Sequence, residues 1–121
     1  MEIDGLLAEL ENALKTEKGN LDRRVAVYNR IVALAAAYLD IPHPVACPQL
    51  VPVDDVRGND YNPNKVAPPE MRLLKLSIRK DGFTMPVVVA QDGKGHVVVD
   101  GFHRRQVAKM DAQIRKSLGG Y

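Results

Sequence analysis

The residues of this chain best placed to do chemistry lie in one run, Val97-Val98-Val99-Asp100-Gly101-Phe102-His103-Arg104-Arg105. A β-branched segment there ends in a glycine, and a basic cluster follows. A glycine directly after a strand lets the backbone turn tightly, and a helix starting there points free N–H groups and its positive dipole end at one spot. Such a spot suits an anion. His103, Arg104 and Arg105 fall in the first turn of that helix, where positive charge opposes the dipole by about 0.3 to 1 kcal/mol each unless an anion lies between them and the amides. The local misfit points to a functional role for this turn. On these residues alone, Arg104 and Arg105 as solvated surface groups and His103 as a polar cap fit equally well. Asp100 beside the turn reads as a brace for it.

Other reactive side chains form no such group. Cys47 is the sole cysteine, so an intramolecular disulfide is excluded, and His43 with Cys47 among Pro42, Pro44 and Pro48 falls short of a metal coordination set. No metal site of the protein's own is expected. The net charge of +2 conceals an asymmetry: residues 1 to 56 hold five Lys/Arg against nine Asp/Glu, and residues 57 to 121 hold twelve against six. A basic C-terminal half suits an anionic partner, nucleotide or DNA, as it also suits a plain solvated surface. No apolar run reaches the roughly 18 residues of a membrane span, and Met1-Glu2-Ile3-Asp4 lacks the plan of a signal peptide, so a cytoplasmic protein with no membrane partner is expected.

The elements that must position the cluster can be read from periodicity. Asp4 to about Lys18 places Leu6, Leu7, Leu10, Ala13 and Leu14 at helical spacing, and Leu21 to Asp40 carries Leu21, Val25, Tyr28, Val32, Ala35 and Leu39 along one side. The pair reads as a helical hairpin whose stripe is either core or an interface for a second copy or another protein. Prolines 42, 44, 48 and 52 exclude a continuous helix and mark a connector passing into a short strand around Leu50 to Val53. The division expected is an N-terminal hairpin and connector over 1–48 and a second domain over 49–121. Asp60-Tyr61-Asn62-Pro63-Asn64-Lys65 reads as a turn, and Pro68-Pro69-Glu70 opens a helix to about Lys80 that buries Met71, Leu74 and Ile78 with Leu73, before Asp81-Gly82 stops it. Pro86–Ala90 and Gly95–Val99 are β-branched runs joined by Gln91-Asp92-Gly93-Lys94. In the helix after Gly101, Phe102, Val107, Ala108 and Met110 form one face and Arg104, Arg105 and Lys109 the other; Asp111 caps a last helix ending at Gly119-Gly120. The fold class is α+β, a small mixed sheet flanked by helices.

Four blocks occur in a telling order: Asn62-Pro63, a helix containing Leu76-Ser77-Ile78, Gly82-Phe83-Thr84-Met85-Pro86-Val87-Val88-Val89, and Val99-Asp100-Gly101-Phe102-His103-Arg104. In these the segment from about Val51 to Met110 resembles the N-terminal domain of ParB-type partition proteins in the ParB/sulfiredoxin superfamily, nearest in its G-x-H-R motif to the IbrB-like phage coactivators. The resemblance implies a ParB/sulfiredoxin-like fold and a nucleoside triphosphate, CTP or ATP, bound with Mg²⁺. It also implies that Gly82, Phe83, Thr84, Met85 and Pro86 line base and sugar, and that Asp100, Gly101, Phe102, His103, Arg104 and Arg105 belong to the phosphate end. Met85 stands where the family usually has Gln, which leaves base selectivity open, and His103 stands where its phosphate motif commonly has Glu. Phe102 replaces the reactive cysteine of sulfiredoxin, so that chemistry is excluded. The chain stops at Tyr121 before any segment like the metal motif or helix-turn-helix of complete partition proteins.

The function these residues lead to is a nucleotide-binding domain acting in DNA partition or transcription regulation on a plasmid, phage or mobile element. Any catalysis would be slow NTP hydrolysis, for which no residue is an obvious water-orienting group. The alternatives are a phosphotransferase resembling free serine kinase with Glu70 or Asp100 as base, a ParB-like DNase, for which clustered carboxylates are lacking, and a non-catalytic interaction module working through the N-terminal helices.

Overall fold

A computed structural model describes residues 2–58, 68–93 and 95–121, and the chain divides into two compact units, Met1–Gln49 and Leu50–Tyr121. The turn read at Asp60–Lys65, the Asn62-Pro63 block and Lys94 lie outside the described residues. No helix among the described residues is long and apolar enough to cross a membrane.

In the first unit, helix α1 (Ile3–Thr16) and helix α2 (Leu21–Leu39) fall where periodicity places them. Asn20 starts α2 by accepting the Arg23 N–H at 2.9 Å, and Asp40 ends it in the left-handed region at φ 58°. Helix α1 buries none of its residues, and α2 buries Val25 alone. Leu6, Leu7, Leu10 and Leu14 are exposed, as are Leu21, Tyr28 and Leu39 of the stripe read on α2, so burial within the unit does not account for it. The proline-rich stretch returns along α2, where Gln49 Nε2 donates to the Asn29 carbonyl at 3.2 Å.

The second unit is α+β. Strand β1 (Val56–Arg57), helix α3 (Pro68–Asp81), strands β2 (Val88–Asp92) and β3 (Gly95–Asp100), and helices α4 (Phe102–Met110) and α5 (Ala112–Leu118) follow in chain order. The sheet order is β1-β3-β2, with β1 parallel and β2 antiparallel to β3. The first strand comes later than the sequence suggests. Pro52 offers no N–H to a ladder, the Val53 N–H goes to the Gly120 carbonyl at 2.8 Å, and Val53–Asp55 coil into a 3₁₀ turn before pairing begins at Val56. Gln91 and Asp92, read as part of the loop, stay in β2, opposite His96 and Gly95.

Helix α4 packs on α3, α5, β3 and the 53–55 turn, which leaves Val107 only 1% exposed. Burial of that side chain stabilises the unit by about 1.5 to 3 kcal/mol. Val107 clusters with Ile78 and Ile114, and Met71, Leu74, Phe83 and Leu118 pack against them. Two residues assigned to inward faces are not there: Leu73 and Met110 are exposed. Arg104, Arg105 and Lys109, assigned to the solvent face of α4, are half-buried, because so short a helix is covered on several sides at once.

Candidate phosphate site at the start of helix α4

Strand β3 delivers the chain to Gly101, whose φ of 97° lies in the left-handed region that side chains disfavour, and α4 starts on the next residue. The Gly101 carbonyl accepts the first helical bond, from Arg105 N–H at 2.9 Å, and the cap residue has no side chain to close the helix start. Gly101 itself brings no carboxylate or hydroxyl of the kind that usually closes a helix start.

Glycine at 101 also admits a neighbour. A Cβ there would stand 2.8 Å from Arg104 Nη2, so the guanidinium lies directly over the turn. From that position Nη2 donates to the Pro86 carbonyl at 3.1 Å, while the buried Nε has no partner among the described residues. A buried arginine donor left without an acceptor is costly.

The same bond joins two of the sequence blocks, tying Gly82–Pro86 to Gly101–Arg105. Gly82, at φ 76°, ends α3 by donating its N–H to the Ile78 carbonyl at 2.8 Å. Phe83 packs into the core, and Thr84, Met85 and Pro86 are exposed. Phe102 is half-buried, with its ring so close to Gly58 that a Cβ there would meet it at 2.8 Å. The His103 imidazole stands edge-on to that ring, with centroids 5.5 Å apart and planes at 88°. Asp100 is exposed at the end of β3 and pairs in register with Val88.

Arg105 is engaged elsewhere. Its Nε donates to the Val56 carbonyl at 2.8 Å and its Nη1 to the Gln106 side chain, so it braces α4 against β1. A cavity of about 190 Å³ opens beside the Gly82 turn, lined by Ile78, Phe83, Ile114 and Leu118 with Arg79 and Gln113 among its polar members; it includes none of residues 84–86 or 100–105. Among the described residues no group of three or more His, Cys, Asp or Glu side chains could hold a metal ion.

Two ion pairs were not foreseen. Arg79 Nη2 on α3 meets Asp111 Oδ2 at 2.7 Å, and Arg115 forks onto both carboxylate oxygens of Asp54, at 3.1 and 2.7 Å. Arg115 holds the Asp54 carboxyl below the ordinary aspartate range, and Asp54 in turn raises the Arg115 guanidinium. Both pairs fasten α5 to its surroundings.

No family model matches the chain, and no solved structure matches it. The chain is similar to the uncharacterized protein YbdM of Escherichia coli (strain K12), 47% identical over 79 residues, which is 64% of this chain and 38% of the relative. It thus spans well under half of that relative's length.

Proposed function

We propose that the unit Leu50–Tyr121 is a nucleotide-binding domain of the ParB/sulfiredoxin type. The triphosphate lies at the start of α4, and the base and sugar lie against Gly82–Pro86. One observation carries this reading: the Arg104 guanidinium sits over the left-handed Gly101 turn, bonded to Pro86 and with a buried Nε still to be satisfied. The first-turn amides and Arg104 supply charge-assisted donors to phosphate oxygens, and His103, oriented by the Phe102 ring, adds a further contact. Mg²⁺, when bound with the nucleotide, neutralises phosphate charge, and Asp100 is the residue to help hold it. Arg105 keeps the helix start in place against β1 rather than gripping phosphate. The resemblance extends the proposal to a regulatory ligand in DNA partition or transcription control, with DNA engaged through the basic half of the chain.

Calorimetric titration of CTP, ATP and ADP, with and without Mg²⁺, into the full chain and into Arg104→Ala tests this. The expected result is saturable binding of a triphosphate that weakens about tenfold or more in the variant, the loss of one or two charge-assisted hydrogen bonds. CTP preference supports a clamp-like regulatory role; ATP or ADP preference favours hydrolysis or phosphotransfer. Absence of binding to the wild type defeats the nucleotide reading.

A further inference from the structure

Arg104 belongs to the first turn of α4, yet its one hydrogen bond among the described residues leaves the helix for the carbonyl of Pro86. The path exists only because residue 101 is glycine: a Cβ would stand 2.8 Å from Nη2, 3.1 Å from Cζ and 3.3 Å from Nε, displacing the whole group. A guanidinium is a rigid plane with its donors in fixed directions, so whatever fixes one edge fixes the others. Here one edge holds Pro86, and the buried Nε on the same plane has no partner among the described residues. Pro86 lies in the stretch between α3 and β2 that belongs to neither element.

Resting on the nucleotide-site reading, we infer that Arg104 couples the two ends of the site. An anion that engages the guanidinium immobilises it, and through Nη2 it immobilises the Pro86 carbonyl, so that filling the phosphate end alone orders the segment lining base and sugar. The ordering cost of that segment is then met before the nucleoside arrives, which is positive cooperativity between two parts of one ligand. A coupling of this kind strengthens the second contact by about fivefold or more. Polyphosphate lacking a base should therefore act on residues it need not touch.

The test uses inorganic tripolyphosphate with Mg²⁺ and the full chain, with saturation established by calorimetry. Backbone amide exchange is followed by mass spectrometry over Phe83–Val89, with α5 as an internal reference. Tripolyphosphate is expected to slow exchange about fivefold in Phe83–Val89 and to leave α5 unchanged. Arg104→Lys, which keeps a charge and loses the planar fork, should show no slowing at its own saturating concentration. Tripolyphosphate that binds the wild type while leaving exchange over Phe83–Val89 unchanged or faster overturns the coupling and leaves the site intact. Equal slowing in Arg104→Lys also overturns it, because another group then carries the effect. If neither tripolyphosphate nor any nucleotide binds, the site reading fails and the coupling with it. A variant that does not fold leaves the wild-type comparison to decide.

Discussion

Helices α4 and α5 begin close together in the chain and solve the same problem in opposite ways. Helix α5 starts on Asp111, whose side chain is 5% exposed and accepts the Ile114 N–H at 3.1 Å and the Arg79 guanidinium at 2.7 Å. The Ile114 N–H, ahead of Arg79, holds that carboxyl below the ordinary aspartate range against the opposing pull of burial. Helix α4 starts on a glycine with no side-chain cap, and its first turn carries His103, Arg104 and Arg105. At α5 the Asp111 carboxylate accepts from the helix's own Ile114 amide and is itself held by Arg79 of α3. The cap residue of α4 offers no such carboxylate, and cations stand beside its first turn. The first start holds helices together, and the second is where the proposed phosphate would supply the acceptor.

Breaking the closed start should have the larger effect. Asp111→Ala removes the cap of α5 and leaves Arg79 without its partner, so it is expected to give the greatest fall in Tm of the substitutions considered, with triphosphate affinity unchanged at temperatures where the variant is folded. Asp111→Asn keeps a capping oxygen, loses the ion pair and should fall in between. An alanine variant that melts with the wild type would mean that the two starts do not differ as described.

Gly101→Ala strikes the open start. A side chain held at positive φ costs about 1 to 3 kcal/mol, and its Cβ evicts the guanidinium from Pro86. Urea denaturation should show that loss, and triphosphate binding should fall with it. This pairing of effects sets it apart from Asp111→Ala. Unchanged affinity in Gly101→Ala would show that the guanidinium position is incidental to binding.

Much of this contrast was legible in the sequence where the signal is local. The β-branched runs Pro86–Ala90 and Gly95–Val99 overlap β2 and β3, Gly82 stopped α3, and Asp111 read as a cap. The first strand was misplaced because prolines obscure where a ladder can begin. Leu73 and Met110 were misassigned because both sit beside genuine core positions on helices too short to average out the error. Arg104 and Arg105 look alike in sequence, but adjacent helical residues point about 100° apart, and that rotation sends one over the Gly101 turn and the other to β1. The partners of Asp111 and Asp54 lie in distant segments, and no pattern within one element announces such pairs.

The smallest expected effect sharpens the comparison through pH. Asp111 and Asp54 both have folded-state pKa values below the ordinary aspartate value. The unfolded chain therefore takes up protons first as pH falls. The stability these carboxylates contribute is complete above about pH 5 and is lost as pH drops past the unfolded value of about 3.9 toward the lower folded one. Asp54 is more than half exposed and its pair with Arg115 is screened by solvent, so its share is the lesser. Urea midpoints measured between neutral pH and the acid range should decline for the wild type, slightly less for Asp54→Asn and least for Asp111→Asn. Equal acid slopes in wild type and Asp111→Asn would show that the closed start is not maintained by its charge. The open start has no buried carboxylate to lose, so Gly101→Ala should lower the whole curve and leave its acid slope parallel to the wild type.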